Sequence, residues 1–250
     1  MYNEAKCHLC LQQRTLCNSH IIPEFFYEQM GLYDSKHRLK ILSTSPEKHP
    51  PCAQKGIRER LLCEECEGKF SQWEGYARQA LFGGTWIEIN SSDARGIKCT
   101  VDYTKFKLFE LSVVWRVGIS THQAFSSVSL GEHEDVLRRM LFTETPGNGE
   151  AYGCVLIHSS KYEAVTANMI HCMGTTDVDG VVCVRLILGG LFWFFFLSST
   201  CIDPRQTGLF LQENGHLRIL RTGERPNQYI EHLAKALFNA DPKRFRQFEK

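Results

Sequence analysis

The sequence predicts an α+β protein in which an N-terminal zinc-binding module, residues 1–82, precedes a mixed, mainly antiparallel sheet with helices, residues 83–250. Two cysteine pairs of identical spacing mark the module. In the later part, strand-like runs follow one another directly, which suits an antiparallel sheet better than a doubly wound parallel one. A chain of 250 residues with 43% hydrophobic content is long enough to bury a substantial core.

The two cysteine pairs, Cys7-His8-Leu9-Cys10 and Cys63-Glu64-Glu65-Cys66, form C-x2-C knuckles. Each short loop can direct two sulfurs at one ion, and four thiolates suit tetrahedral Zn²⁺. We therefore expect Cys7, Cys10, Cys63 and Cys66 to bind one structural zinc, the alternative being unrelated buried cysteines. The other cysteines are expected to be ordinary thiols: Cys17, Cys52, Cys99, Cys154, Cys172, Cys183 and Cys201.

The cysteine count and the first residues indicate a reducing compartment. The chain has 11 cysteines, an odd number, and residues 1–10 contain no apolar stretch of the kind a secretory signal requires. Both features favour the cytoplasm, where C-x2-C indicates zinc or redox chemistry and not a disulfide framework. A thiol redox protein is disfavoured because neither pair is expected at the strand-to-helix junction of a thioredoxin-like unit.

Charge and hydropathy give no sign of a membrane or of a strongly basic surface. The net charge is +1, so any contact with nucleic acid must come from a local patch. The apolar run 181–197 includes Arg185 and Gly189-Gly190, and it is shorter than the roughly 20 uninterrupted apolar residues of a spanning helix. We expect strands at Val182–Leu188 and Leu191–Leu197 joined by the two glycines, or one bent strand with a glycine bulge.

The other helices and strands are predicted from the spacing of apolar residues and from the positions of turn residues. Apolar residues at helical spacing predict helices at 67–81, 108–118, 132–142 and 226–239. Residues 43–56 are rich in Pro, Ser, Lys and His, which predicts a loop. Short strand-like runs are expected within 85–100, with a turn at 90–93, and further strands at 153–158, 165–172, 208–212 and 216–221, the last two forming a hairpin around Gly215.

The first third of the chain resembles the HNH endonuclease superfamily. The matching features are the two knuckles, the string Ser19-His20-Ile21-Ile22-Pro23 between them, Leu61-Leu62-Cys63 before the second knuckle, and Cys66-Glu67 leading into a helix. The resemblance implies a treble-clef-like zinc module that carries a ββα-metal site. Residues 83–250 resemble no family that we can name.

The resemblance implies roles for individual residues. His20 would be the general base, because an imidazole titrates near neutral pH. Glu67 would bind a catalytic Mg²⁺ or Mn²⁺, since hard ions prefer oxygen ligands. Glu59 would orient His20 or bind the ion, and Asn18 is the alternative orienting residue. The family often has an acidic residue before the histidine and a second histidine after the last cysteine, where this chain has Ser19 and Glu67.

These residues could also have purely structural roles. His20 could be a core histidine, and Glu67 could be a first-turn acid favoured by the helix dipole. Four basic residues are candidate nucleic-acid contacts, because arginine suits phosphate oxygens and the C-terminal tail interleaves basic and aromatic residues: Arg116, Arg138, Lys243 and Arg244. Arginines of this kind also commonly cap helices or join surface ion pairs.

The sequence thus predicts a metal-dependent endonuclease that hydrolyses phosphodiester bonds in nucleic acid, DNA being the expected partner. The resemblance implies a role in bacterial defence against foreign DNA. Residues 83–250 would supply specificity, homo-oligomerisation or a surface for a companion protein. The alternative function is a zinc-binding nucleic-acid or protein interaction module whose nuclease site has decayed, which Ser19 and Glu67 would fit.

Overall fold

The computed structural model describes residues 4–40, 52–54, 56–83, 88–93, 96–178, 180–200 and 208–222. The predicted helix at 226–239 and two of the candidate contacts, Lys243 and Arg244, lie outside the described residues. Within those residues the fold is α+β, as predicted, with helices packed against antiparallel and mixed sheets. No helix in the described part of the chain is both long enough and apolar enough to cross a membrane.

The N-terminal part consists of five short strands and two helices. They are, in chain order, β1 (Glu4–Lys6), β2 (Gln13–His20), α1 (Glu24–Gln29), β3 (Arg38–Lys40), β4 (Cys52–Gln54), β5 (Arg58–Cys63) and α2 (Glu64–Phe82). Strands β1, β2 and β5 form one antiparallel sheet in that order, and β3 pairs with β4. The expected loop at 43–56 therefore contains a strand near its end.

Helix α2 starts directly from the last residue of strand β5. Glu64, Glu65 and Glu67 fill its first turn, where the helix dipole favours negative charge. Its buried residues recur at alternating spacings of four and three, which places them on one face: Cys66, Phe70, Trp73, Ala77 and Ala80. The helix ends at Gly83, whose φ of 92° only glycine adopts readily. The predicted helix is confirmed and begins three residues earlier than expected.

The later part is a seven-stranded sheet with helices. Its elements are β6 (Glu88–Asp93), β7 (Gly96–Thr100), α3 (Tyr103–Ile119), α4 (His133–Phe142), β8 (Cys154–Ser159), α5 (Glu163–Thr166), β9 (His171–Val178), β10 (Val181–Leu188), β11 (Leu191–Phe196) and β12 (His216–Thr222). The strand order is β6-β7-β12-β8-β11-β10-β9. Strands β12 and β8 pair in parallel and the other neighbours are antiparallel, which confirms the predicted sheet type.

The glycine pair forms the predicted hairpin turn. Gly189 and Gly190 have φ values of 60° and 79°, and Leu188 pairs with Leu191 across the turn. Two successive residues with positive φ match the right-handed twist of the flanking strands, which is why glycine is favoured there. The alternative of one bent strand is therefore wrong.

Three local predictions are wrong. The expected turn at 90–93 lies inside strand β6, because pairing with β7 extends the strand through polar residues. Residues 163–166 form the short helix α5, so the strand expected at 165–172 starts only at His171. Residues 208–212 form no strand, and β12 pairs with β7 and β8 instead of forming a hairpin.

One hydrophobic core contains residues from both sides of residue 82. The Phe26 ring packs edge-on against Trp193 at 6.2 Å between centroids, and the Phe70 ring packs against Trp115 at 6.1 Å. Helix α3 is buried on every side from Phe106 to Val117 and packs against α2. The predicted division into two domains at residue 82 stays a prediction, and this packing fixes α2 against the rest of the protein.

Candidate metal centre and adjoining histidine

The four predicted cysteines meet at one point. Their sulfurs all lie within 4.8 Å of one another, and the Sγ atoms of Cys10 and Cys63 are 3.9 Å apart. A tetrahedral zinc with Zn–S bonds of about 2.3 Å places its sulfurs roughly 3.8 Å apart. The group Cys7, Cys10, Cys63 and Cys66 therefore has the spacing and the soft ligands that suit a metal such as zinc.

Backbone hydrogen bonds shape the first knuckle around these sulfurs. The Cys7 amide donates to the Gln12 carbonyl at 2.9 Å, and the Leu11 amide returns to the Cys7 carbonyl at 2.9 Å. Leu11 has a φ of 63°, which is uncommon for a residue other than glycine and turns the loop back on itself. The Cys63 amide donates to the Cys7 sulfur at 3.3 Å, which joins the two knuckles directly.

The electrostatics of the group favour a bound cation. Burial alone would raise the pKa of the Cys7 thiol, but backbone N–H groups of Cys10, Cys63 and Leu9 donate to its sulfur and bring the pKa below its usual value. Burial and the neighbouring sulfurs raise the pKa of Cys66 far above the usual value. A divalent cation would offset the repulsion among these sulfurs and stabilise the thiolates.

The second knuckle lies where strand β5 passes into helix α2, as the predicted helix after Cys66 implies, so the reason given above for disfavouring a redox pair does not hold for Cys63 and Cys66. A redox thiol pair can occupy such a junction. However, a redox role would involve only Cys63 and Cys66, whereas metal binding accounts for all four converging sulfurs.

The two positions at which the chain departs from the family pattern lie in contact. The Ser19 Oγ donates to the Glu67 Oε2 at 2.7 Å, joining strand β2 to the first turn of α2. Ser19 is completely buried, whereas Glu67 is partly exposed. An oxygen ligand for a hard cation at this point would therefore come from Glu67.

His20, the last residue of β2, lies beside Arg58 and Glu24. The Arg58 Nε donates to the His20 Nε2 at 2.8 Å, and the Glu24 Oε1 is 3.7 Å from the same ring nitrogen. Arg58 Nη2 is 3.3 Å from Glu24 Oε1. An arginine can only donate, so Nε2 must accept, and the ring is assigned as neutral with its proton on Nδ1. The His20 side chain is 15% exposed.

The predicted nucleic-acid contact at Arg116 is wrong, because its side chain is only 1% exposed. Its Nη2 is 2.7 Å from the Glu74 Oε1, and its guanidinium lies 5.2 Å from the centre of the Phe70 ring. Its Nη1 donates to the His20 carbonyl at 2.8 Å. Arg116 therefore fixes the backbone of the candidate base to helices α2 and α3.

Glu59 also has partners other than the one predicted. Its carboxylate accepts hydrogen bonds from the Ser120 hydroxyl and from the amides of Thr121 and His122, in the turn after α3. Burial acts to raise the pKa of Glu59, but these hydrogen bonds bring it below the usual value. Both oxygens stabilise that turn, and the predicted role of Glu59 in orienting His20 or binding the ion stays a prediction.

Two predicted residues remain: Arg138, a candidate nucleic-acid contact, and Asn18, the alternative residue for orienting His20. Arg138 is 18% exposed, pairs with Asp135 at 2.8 Å, and donates to the Leu9 carbonyl at 3.0 Å, so it supports the first knuckle. Asn18 is exposed on β2, two residues before His20.

A second group of side chains could hold a cation. Carboxylate and imidazole atoms of Glu24, Glu28 and His37 lie within 4.8 Å of one another; Glu24, beside His20, is partly buried and the other two are exposed. Glu24 and Arg58 were not predicted from the sequence as site residues. Arg58 pairs with His20 across β2 and β5, so only the strand register could have identified it. No protein-family model, curated protein or solved structure matches this chain.

Proposed function

We propose that this protein is a metal-dependent, HNH-like endonuclease that hydrolyses phosphodiester bonds. One observation carries the proposal: His20 ends strand β2, its antiparallel neighbour β5 leads into helix α2, and four cysteine sulfurs converge where these elements meet. This arrangement is what a ββα-metal site on a treble-clef-like module requires. It supports a structural zinc at the cysteines and a reaction centre near His20.

In this proposal His20 removes a proton from the attacking water. Its Nε2 is the ring nitrogen that accepts the Arg58 N–H and so carries no proton, which makes it the atom that would take the proton as the water oxygen attacks phosphorus. The Arg116 contact with the His20 carbonyl keeps the end of β2 in place. Glu67 would hold a Mg²⁺ or Mn²⁺ ion, which when bound stabilises negative charge on the phosphate and leaving oxygens.

Ser19 favours one alternative, a zinc-binding module for nucleic acid or protein whose nuclease site has decayed. The hydroxyl is buried and already donates to Glu67, which leaves a single carboxylate at this position to hold an ion. Mg²⁺ often binds through one or two carboxylates plus substrate phosphates, so one carboxylate also fits an active enzyme.

The biological setting that we propose follows the same resemblance. The substrate would be DNA, the compartment would be a reducing cytoplasm in which zinc-bound thiols persist, and the role would be bacterial defence. Residues 83–250 would supply specificity, self-association or a surface for a companion protein.

Cleavage of supercoiled plasmid with Mg²⁺ or Mn²⁺ tests the function. Replacing His20 by alanine should lower the rate by about 100-fold or more, as expected for the loss of a general base. His216→Ala is the matched control, because His216 is exposed at the start of β12 in the other sheet. Both variants should retain about one zinc per chain.

Two outcomes would contradict the proposal. Undiminished cleavage by the zinc-loaded His20→Ala protein would show that His20 is not the base. Absence of cleavage by the wild type, combined with retained binding of the same plasmid, would favour the decayed binding module.

A further inference from the structure

Arg58 is a charged group in direct contact with the ring of the candidate base. Its Nε donates to the His20 Nε2 at 2.8 Å, and its Nη2 lies 3.3 Å from the Glu24 carboxylate. The side chain is 23% exposed, so the guanidinium lies at the surface of the site and is not part of the core. Arg58 is thus placed between a neutral acceptor and a carboxylate, at a position that a solvent-borne anion can reach.

We propose that Arg58 binds the scissile phosphate and that this binding releases His20 Nε2 to act as the base. The inference rests on the proposed nuclease function and deepens it. A guanidinium forms stronger, often bidentate hydrogen bonds with a phosphate than with a neutral imidazole. A phosphodiester at this surface would therefore replace His20 as the acceptor of the Arg58 N–H groups.

The exchange couples substrate binding to the reaction. In the free protein, the His20 Nε2 lone pair is engaged by Arg58 and cannot take a proton. With the phosphate on Arg58, that lone pair faces a water beside the phosphorus. The water proton passes to Nε2, the water oxygen bonds to phosphorus, and the bond to the leaving oxygen breaks. The leaving oxygen takes a proton from solvent.

Glu24 determines which anions can bind to Arg58. Its carboxylate is 35% exposed and already accompanies the guanidinium, so a weakly held anion has to compete with it. A phosphodiester on a polyanionic chain brings many charges to the same surface and competes better than a single small anion. The other arginines considered from the sequence do not compete for this role, because Arg116 is buried and Arg138 holds the Leu9 carbonyl.

The first test measures binding and cleavage with the full-length, zinc-loaded protein. Arg58→Ala should weaken binding of a short DNA duplex and slow plasmid cleavage by about 10- to 100-fold, the range expected for losing a charge-assisted contact. Arg58→Lys should recover part of both. Arg60→Ala, which removes the same charge two residues along β5 at an exposed site, should leave cleavage unchanged.

The second test observes the His20 ring by nitrogen-15 NMR in buffer without added Mg²⁺ or Mn²⁺. The free protein should show the tautomer protonated on Nδ1, and adding the duplex should shift the Nε2 resonance. Arg58→Gln should abolish that shift, because it keeps a neutral donor near His20 and loses the charge that binds phosphate. This variant also replaces Arg58→Ala if the alanine protein fails to fold or loses zinc.

The outcomes separate this inference from the proposed function. If Arg58→Ala cleaves as fast as the wild type or faster, Arg58 only shields His20 and the inference is wrong, although the nuclease stands. If the wild type cleaves nothing but the duplex still shifts His20 in an Arg58-dependent way, the nuclease proposal fails and Arg58 remains the phosphate-binding group.

Discussion

At the scale of single residues, two ionisable side chains sealed inside the core, Lys107 and Glu110, are the least expected feature of this protein. Lys107 and Glu110 lie one turn apart on α3, and both are 0% exposed. Lys107 Nζ donates to the Tyr152 carbonyl at 2.7 Å, whereas neither Glu110 oxygen has a hydrogen-bond partner among the described residues. Burial raises the pKa of Glu110 to about 7 although the Lys107 charge opposes it. Burial lowers the pKa of Lys107.

Glu110 should make the folded state less stable as the pH rises. Its pKa is about 7 in the folded protein and 4.5 when unperturbed, so between these values the folded state binds more protons than the unfolded state. The free energy of unfolding should therefore fall from about pH 5 to about pH 8, by at most about 3 kcal/mol from this group. Urea unfolding of the wild type and Glu110→Gln at several pH values measures the difference in slope.

The exposed carboxylate Glu150 provides the matched control, because Glu150→Gln removes a charge that solvent already screens. For Glu150→Gln, the free energy of unfolding should change with pH as steeply as it does for the wild type. For Glu110→Gln, it should change less steeply. Identical slopes for all three proteins would show that the folded protein does not hold Glu110 protonated in this pH range.

At the scale of elements, we expect helix α2 to depend on a metal bound at its first turn by the four converging sulfurs. Cys63 precedes the helix and Cys66 lies inside it, while Cys7 and Cys10 belong to the loop between β1 and β2. Replacing Cys66 by alanine should reduce bound zinc from about one per chain to none. Thermal unfolding followed by circular dichroism should then show a lower midpoint, because metal binding contributes to folding free energy.

Cys99→Ala is the control for this experiment. Cys99 is buried in β7, where its thiol lies 3.8 Å from the Leu217 carbonyl, away from the four converging sulfurs. The cavity left by the missing sulfur should lower the free energy of unfolding by about 1 to 2 kcal/mol. The variant should keep its zinc. Zinc retained by the Cys66→Ala protein would contradict the four-sulfur site.

The elements also show which features a sequence can predict. The convergence of the four cysteines, helix α2 and the Gly189-Gly190 hairpin were predictable because their signals are local spacings of a few residues. The neighbours of β12 were not, because β7 and β8 lie far from it in the chain. The contact of Arg58 with His20 was not predictable for a similar reason, since it depends on the register between β2 and β5. Arg116 was assigned wrongly because the sequence does not show that α3 is enclosed on every side.

At the scale of the whole molecule, the aromatic core joins the part that carries the four converging cysteines to the seven-stranded sheet. Phe26 from α1 contacts Trp193 of β11, and both rings contact Phe109 of α3 at 6.3 Å and 6.2 Å. Arg116 adds a polar link, because it binds Glu74 of α2 and the His20 carbonyl while lying on α3. Separating the two parts would expose these rings and leave a buried charge unpaired, which is costly.

We therefore expect the protein to unfold in one cooperative transition. Tryptophan fluorescence includes signals from Trp73 and Trp115, near the part with the four cysteines, and from Trp193 in the sheet, whereas circular dichroism reports on all elements. Urea curves from the two probes should coincide, and removing zinc should move both by the same amount, since a ligand of the folded state stabilises the whole cooperative unit. Phe26→Leu should shift both curves together. Two separated transitions, with only the first sensitive to zinc, would instead show that residues 1–82 form an independent domain.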